Sequence, residues 1–360
     1  INIMLTMEDY NMSGAGSVIK FLSTLSKSEQ EQVYNYLEKE LILGSMTGEI
    51  QDEIKENRFS SGRVCHYCKK DRVLRNGKYN NKQRYICKDC KKTFTDFTYS
   101  PCYNSKKDFT EWLSYIKCMI EGYSIRKCAR IVGISIPTSF LWRHKILDAI
   151  RAYIGIGHVS GVVEADETFF RLSYKGNHSK SSTFAMPRKP YKRGPKSKPS
   201  RQEEKKKRGI SNNQVSVMCV TDRMGNVISE LVCNGRMRYT DVERLFRDRI
   251  EEKSTLCVDS HKSYIKFKNN FDVEMQQIET GKYKKGIYHI QHINAYHSRL
   301  KQFMYGFHGV ATKYLANYMY WFKWIELFKT EKDTIRCKRL FVQSHTSYAT
   351  TQIKAFKERK

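Results

Sequence analysis

Two aspartates and an asparagine in the second half of the sequence have the types and spacing of an oxygen-ligand site for divalent cations. Asp166 lies in GVVEADET, Asp259 closes TLCVD, and Asn294 lies in HINAYHSRLK, 35 positions after Asp259 and seven before Lys301. Aspartates that follow apolar runs project from a sheet edge, and two desolvated carboxylates side by side repel unless a cation lies between them. Hard oxygen donors suit Mg²⁺ or Mn²⁺. A pair of such ions flanking a phosphate is the arrangement for in-line phosphoryl transfer. The third position carries an amide where a carboxylate is expected. Its oxygen still ligates, but it adds no negative charge and cannot act as a base. Seven residues make two helical turns, so Asn294 and Lys301 share a face, with His297 nearby. Singly, each has a plainer reading: a helix N-cap, a surface charge, a packed histidine. Glu164 and Glu167 are the alternatives to Asn294, and strand alternation places Glu164 on the face of Asp166 and Glu167 on the other.

A second constellation is sulfur-based. Cys65-His-Tyr-Cys68 and Cys87-Lys-Asp-Cys90 are two CxxC knuckles separated by 18 residues. Zn²⁺ takes four soft ligands in a tetrahedron, and each knuckle supplies two from one tight turn. A redox dithiol is the alternative, weakened by the presence of two pairs. RVLRNGKYNNKQRYI between the knuckles reads as a hairpin and KKTFTDFT as a closing strand, a module too small to fold without its metal.

Elements that position these groups follow from periodicity. Residues 15–45 carry an amphipathic helical pattern through Val18, Phe21, Leu22, Leu25, Val33, Tyr34 and Leu37. The polar stretch GSMTGEIQDEIKENRFSSG reads as a linker. Residues 108–150 read as helical, broken near Gly122 and Gly133, and Ala129 with Gly133 suits a helix-turn-helix. Its second helix would present Thr138, Ser139, Arg143 and His144 to a major groove; helical hairpins of other kinds share this spacing. From Gly161 the pattern turns to strands: VVEAD, then a hairpin of NQVSVMCV and NVISELVC around Asp222–Asn226. A helix from Thr240, with Glu243 in capping-box position, precedes the strands TLCVD and VEMQQI, and residues 292–329 are helical. The expected order is three strands, helix, strand, helix, strand, helices. Asp166 falls on the first strand, Asp259 at the end of the fourth and Asn294 at a helix start.

Composition bounds the partners. The 360 residues hold 65 Lys and Arg against 37 Asp and Glu, a formal net charge of +28, which points to nucleic acid. Residues 174–208 concentrate 13 of the basic residues and four of the six prolines. Such a segment cannot bury a core and reads as a flexible basic loop, either solvated or gripping phosphates through Lys189, Lys192 and Arg193. No apolar run reaches the length of a bilayer span, the most aromatic segment (314–328) being broken by Lys323 and Glu326. The N-terminus lacks a signal-peptide pattern, so the eleven cysteines read as reduced thiols with a metal site.

The blocks VEADETFF, VDSHKSY, HINAYHSRLKQF and FHGVATKYLANYMYWF, with the order ribbon, helices, catalytic domain, resemble zinc-ribbon DDE transposases of bacterial insertion sequences, the fifteen-ninety-five family. The resemblance covers roughly residues 60–330. It implies an α+β, multidomain chain: an N-terminal helical segment and linker (1–60), a zinc ribbon (61–100), a helix-turn-helix region (106–152), an RNase H-like domain with a mixed five-stranded sheet and the basic insertion 174–208 (160–330), and a C-terminal tail (331–360). One subgroup carries Asn for the third acid with a lysine seven residues on, which Asn294 and Lys301 match. The implied activity is Mg²⁺- or Mn²⁺-dependent cleavage of element ends and joining to target DNA. Catalytic metal would bind Asp166, Asp259 and Asn294, structural zinc Cys65, Cys68, Cys87 and Cys90. Partners are double-stranded DNA and further copies of the chain in a synaptic complex. The setting is the nucleoid-containing cytoplasm, or the nucleus in a eukaryotic host. A DNA-binding regulator that does not cut, and a metal-dependent nuclease that does not join, are the alternatives.

Overall fold

The computed structural model describes residues 14–37, 41, 44–79, 82–176, 185, 209–259, 264, 273–279, 282 and 284–359. Its second half is built on a five-stranded sheet: β4 (Val162–Arg171), β5 (Gln214–Asp222), β6 (Val227–Asn234), β7 (Thr255–Asp259) and β8 (Glu274–Ile278). The strand order is β6-β5-β4-β7-β8. The first three strands form an antiparallel meander, whereas β7 and β8 run parallel to β4. The expected mixed five-stranded sheet is therefore present. The helix expected between the fourth and fifth strands falls on residues of which only Tyr264 is described.

Alternation along the strands divides the sheet between two cores. In β5, Val215, Val217 and Cys219 face one core while Met218 and Val220 face the other. The first core receives the helices α8 (Gln291–Tyr305) and α9 (Thr312–Leu327), through Ile293, Tyr296, Leu300, Leu315 and Tyr318. The second receives α7 (Tyr239–Phe246), through Val242, Leu245 and Phe246, with Tyr264. On β4, Val163 and Ala165 belong to the α7 side. Glu164 and Asp166 therefore turn to the side of α8, as alternation requires. The capping residue of α7 differs from expectation: the helix starts before Thr240, and Asp241 accepts from the Arg238 amide.

The first half is a helical layer carrying a small sheet. Helices α4 (Phe109–Ile120), α5 (Ile125–Val132) and α6 (Ile136–Ile154) match the expected helical region, with breaks at both predicted glycines. Gly133 ends α5 in the left-handed conformation, φ 71°, where a Cβ would be strained. Strands β1 (Val73–Tyr79), β2 (Lys82–Cys87) and β3 (Thr93–Thr95) make an antiparallel sheet around the cysteine knuckles.

Two segments depart from the reading of the sequence. The stretch taken as a linker is helix α3 (Gly44–Phe59), following α1 (Gly14–Thr24) and α2 (Lys27–Leu37). Its Ile50, Ile54 and Arg58 are buried, so two isoleucines one turn apart anchor an otherwise polar helix. The C-terminal tail is also structured, as α10 (Asp333–Thr346) and α11 (Ile353–Glu358). Helix α10 buries Cys337 and residues 340–345. Phe341 lies 5.6 Å from Phe109, and the Trp324 indole donates to Gln343 at 2.7 Å. Arg58 ties the small sheet to this layer, donating to the Thr98 carbonyl at 2.8 Å and lying 4.4 Å over the Tyr348 ring. No helix among the described residues is long and apolar enough to cross a membrane.

Candidate active site

The parallel pairing of β4 with β7 aligns Glu164 with Cys257. Two residues further along each strand are Asp166 and Asp259, on the same face of neighbouring strands. Their charges meet. Burial, then the negative charges of Glu167 and Asp259, push the Asp166 carboxyl up to about 7. Glu167 lies on the opposite face, as alternation predicts, and accepts from the buried Tyr264 hydroxyl at 3.2 Å. Burial and the Asp259 charge push it too up to about 7.

Helix α8 supplies the facing wall. His297 Nδ1 lies 3.6 Å from Asp166 Oδ2, with the two side chains 8% and 22% exposed. That distance exceeds a hydrogen bond. Burial and then the Lys301 charge hold the imidazole down to about 4, so it stands neutral beside the carboxyl. Lys301, itself exposed, opposes the rise at Asp166 through its charge. Asn294, His297 and Lys301 recur at three and four residues and share one stripe of the helix. Asn294 lies in the first turn, its amide N–H bonded to the Ile290 carbonyl at 3.1 Å and its side chain exposed.

The helix start is held by a residue of β4. Glu164, 1% exposed, accepts at Oε2 from the His292 and Ile293 amides at 2.8 and 3.1 Å. At Oε1 it meets Arg223 Nη1 at 3.1 Å, His292 Nδ1 at 2.7 Å and His289 Nδ1 at 3.3 Å. Arg223 Nη1 also lies 2.6 Å from His292 Nδ1. One ring nitrogen cannot donate to Glu164 and accept from Arg223 together, and the buried carboxylate favours the protonated nitrogen. Glu164 was an alternative third ligand; the two amides occupy one of its oxygens and Arg223 the other. Alternation in the sequence placed Glu164 on the correct face, but nothing in it signalled Arg223, His289 or His292.

The fit to divalent metal rests on the donor set. Burial and the neighbouring carboxylates raise the proton affinity of Asp166, and a hard cation relieves that repulsion as a proton does. A consequence is measurable without DNA. A carboxyl whose folded pKa is raised binds more protons when folded, so stability falls as pH rises from about 4 to about 7. In chelator, Asp166→Asn should match the wild type at pH 4 and exceed it at pH 8 by roughly 1–3 kcal/mol, read from denaturant titrations. Equal stability at both values would show that Asp166 carries no such strain.

The four cysteines form a second site. Cys65 Sγ and Cys90 Sγ lie 3.6 Å apart, Cys68 Sγ and Cys87 Sγ 3.5 Å, and all four sulfurs fall within 4.8 Å of one another. Tetrahedral ligands at the Zn–S distance of about 2.3 Å stand about 3.8 Å apart, whereas a disulfide needs about 2.05 Å. The set therefore fits zinc. His66 is held down to about 4, chiefly by burial, and packs 4.4 Å from the Phe94 ring, outside the cluster.

The expected groove contacts of α6 are corrected for three of four residues. Ser139, Arg143 and His144 are buried. Ser139 Oγ donates to the Ile125 carbonyl at 2.9 Å. Arg143 Nη2 donates to the Tyr123 carbonyl at 2.6 Å, and its guanidinium lies 4.9 Å over Trp321. His144 Nδ1 lies 3.2 Å from Asn317 Nδ2. That face of α6 packs inward against α5 and α9, which the sequence pattern did not distinguish from the outward one. Thr138 keeps surface, its Oγ1 2.8 Å from Ser135 Oγ, and Arg126 and Arg130 of α5 are exposed. Lys189, Lys192 and Arg193 lie outside the described residues.

A mixed sheet of this order, with aspartates on its two adjoining parallel strands and a helix laid across them, fits an RNase H-like transposase domain. Residues 158–326 match the ISXO2-like transposase domain. The chain is also 24% identical over 268 residues to an uncharacterized protein in the transposable element ISH50 of Halobacterium salinarum, covering 73% of this chain and 84% of that protein.

Proposed function

We propose that the protein is a DNA transposase that recognises the terminal inverted repeats of an insertion sequence, cuts at its ends and joins the freed 3′-OH to target DNA. The observation that carries this is the placement of Asp166 and Asp259 on one face of adjoining parallel strands, against the helix stripe of His297 and Lys301. Asp166 and Asp259, with the Asn294 amide oxygen, would hold Mg²⁺ or Mn²⁺. When bound, these ions supply charge stabilisation to the entering and leaving oxygens of an in-line displacement. The chain's own groups do the rest. Lys301 offers an ammonium to a phosphate oxygen, and neutral His297 packs beside Asp166 without competing for it as a cation. Asn294 contributes an oxygen but no charge, as in the subgroup with Asn and a following Lys. Water opens a phosphodiester to leave the 3′-OH, which then attacks a target phosphodiester and displaces its 3′ oxygen. No covalent protein intermediate is required.

Recognition of DNA ends falls to the cysteine-knuckle sheet and the helical region, with Thr138 as the remaining candidate of α6. The basic insertion, through Lys189, Lys192 and Arg193, would grip backbone and make affinity fall steeply with salt. Joining two ends calls for at least two copies of the chain, acting wherever the host's DNA lies. The test is incubation of purified protein with Mg²⁺, end-containing DNA and a target duplex. Cleavage with joining supports the transposase; cleavage alone indicates a nuclease, and binding alone a regulator.

A further inference from the structure

We propose that Glu164 is a positioning residue for this reaction, fixing the catalytic strand β4 to the first turn of α8. The inference rests on the proposed active site and adds to it the device that sets its width. The first backbone N–H groups of a helix have no partner within it and carry the positive end of its dipole. In α8 no side chain of the helix's own N-cap serves them. The Glu164 carboxylate serves them instead, receiving the amides of His292 and Ile293.

Position makes this more than a cap. Glu164 lies two residues before Asp166 on the same face of β4, about 7 Å along the strand. The amides it accepts belong to the two residues preceding Asn294. A single buried side chain thus links the strand bearing Asp166 to the helix bearing Asn294, His297 and Lys301. Arg223 braces the carboxylate from the β5–β6 turn. That turn is shaped by Asp222, whose Oδ1 accepts from the Met224 and Asn226 amides, each at 2.9 Å. Strand, turn and helix therefore converge on one carboxylate. Without it the helix start has no fixed partner on the strand, and the helix stripe loses its register against Asp166.

The test compares wild type, Glu164→Gln and Asp166→Asn in the full-length chain. Glutamine keeps the size of the side chain but loses its charge and brings an N–H₂ among donors. Amide hydrogen exchange of metal-free protein should show the His292 and Ile293 amides exchanging at least about tenfold faster in Glu164→Gln, with α9 and β5 unchanged. Single-turnover cleavage of end DNA should fall roughly 100-fold, with end affinity within about twofold of wild type. The Mn²⁺ concentration for half-maximal rate should rise several-fold, which a purely structural cap would not cause. Unchanged exchange would overturn the clamp, and faster exchange with unaltered rate and Mn²⁺ dependence would overturn its positioning role. If Asp166→Asn cleaves as wild type does, the active-site reading fails instead, while the exchange result still decides whether Glu164 holds the helix.

Discussion

Asp166→Asn or Asp259→Asn should lower the rate of end cleavage at least about 1000-fold while leaving affinity for end DNA within about twofold. Asparagine preserves the size of each side chain and removes one of two repelling charges. The folded state therefore gains stability near neutral pH, and unfolding cannot account for lost activity. What disappears is anionic oxygen on one of the two strands that, on the proposed function, would face a scissile phosphate. Charge stabilisation of this kind is worth several kcal/mol, and each 1.4 kcal/mol, roughly, is a factor of ten in rate. Single-turnover cleavage and a gel-shift titration measure the two quantities separately. A rate within tenfold of wild type in either variant would remove that aspartate from the site.

Loss of the sulfur site should have the second large effect. The cysteine-knuckle sheet has a small core, chiefly Val73, Tyr85 and Phe94 with Cys65 and Cys87. Zinc bound by four thiolates contributes on the order of 10–16 kcal/mol in small modules at neutral pH, far more than so few apolar side chains supply. Cys65→Ser or Cys87→Ser should abolish bound zinc, open residues 61–100 to protease and weaken end binding at least about 100-fold. The sheet of Asp166 should stay intact, because β4 to β8 share no core with the knuckles. Damage would spread through Arg58 and Tyr348, through Phe59 against Tyr85, and through Phe97 against Phe109. Elemental analysis, limited proteolysis and gel shift check this. A protein that holds no zinc yet resists protease across 61–100 would contradict it.

Much of the site was legible because its residues obey strand and helix periods. The alternation of VVEAD placed Asp166 and Glu164 on one face and Glu167 on the other, and the i, i+3, i+7 pattern put His297 between Asn294 and Lys301. The succession of strands along the chain and the hairpin at Asp222–Asn226 were equally plain, since each strand is a short apolar run with a clear stop. What escaped notice depends on tertiary contact. Glu164 reads as a spare ligand until the α8 amides meet it, and Arg223 is an unremarkable turn residue until the sheet forms. Ser139, Arg143 and His144 are polar on a helix and so suggested an outer face, yet Arg143 lies inside, its Nη2 meeting a carbonyl and a thiol and its guanidinium lying over an aromatic ring. Helix α3 hid behind two isoleucines in a polar stretch. Helix α10 mixes buried Gln343, Ser344 and His345 with Leu340 and Phe341, which blurs its apolar stripe.

Substituting sulfur for the bridging 3′ oxygen at the cleavage site of end DNA tests the phosphoryl-transfer site most directly. Sulfur is a poor ligand for Mg²⁺ and a better one for the softer Mn²⁺. Wild-type cleavage of this substrate should be suppressed at least about tenfold in Mg²⁺ and recover in Mn²⁺, with Asp166→Asn inactive in both. Equal cleavage of the sulfur and oxygen substrates in Mg²⁺, or cleavage that persists in chelator, would contradict a metal-dependent site built on Asp166 and Asp259.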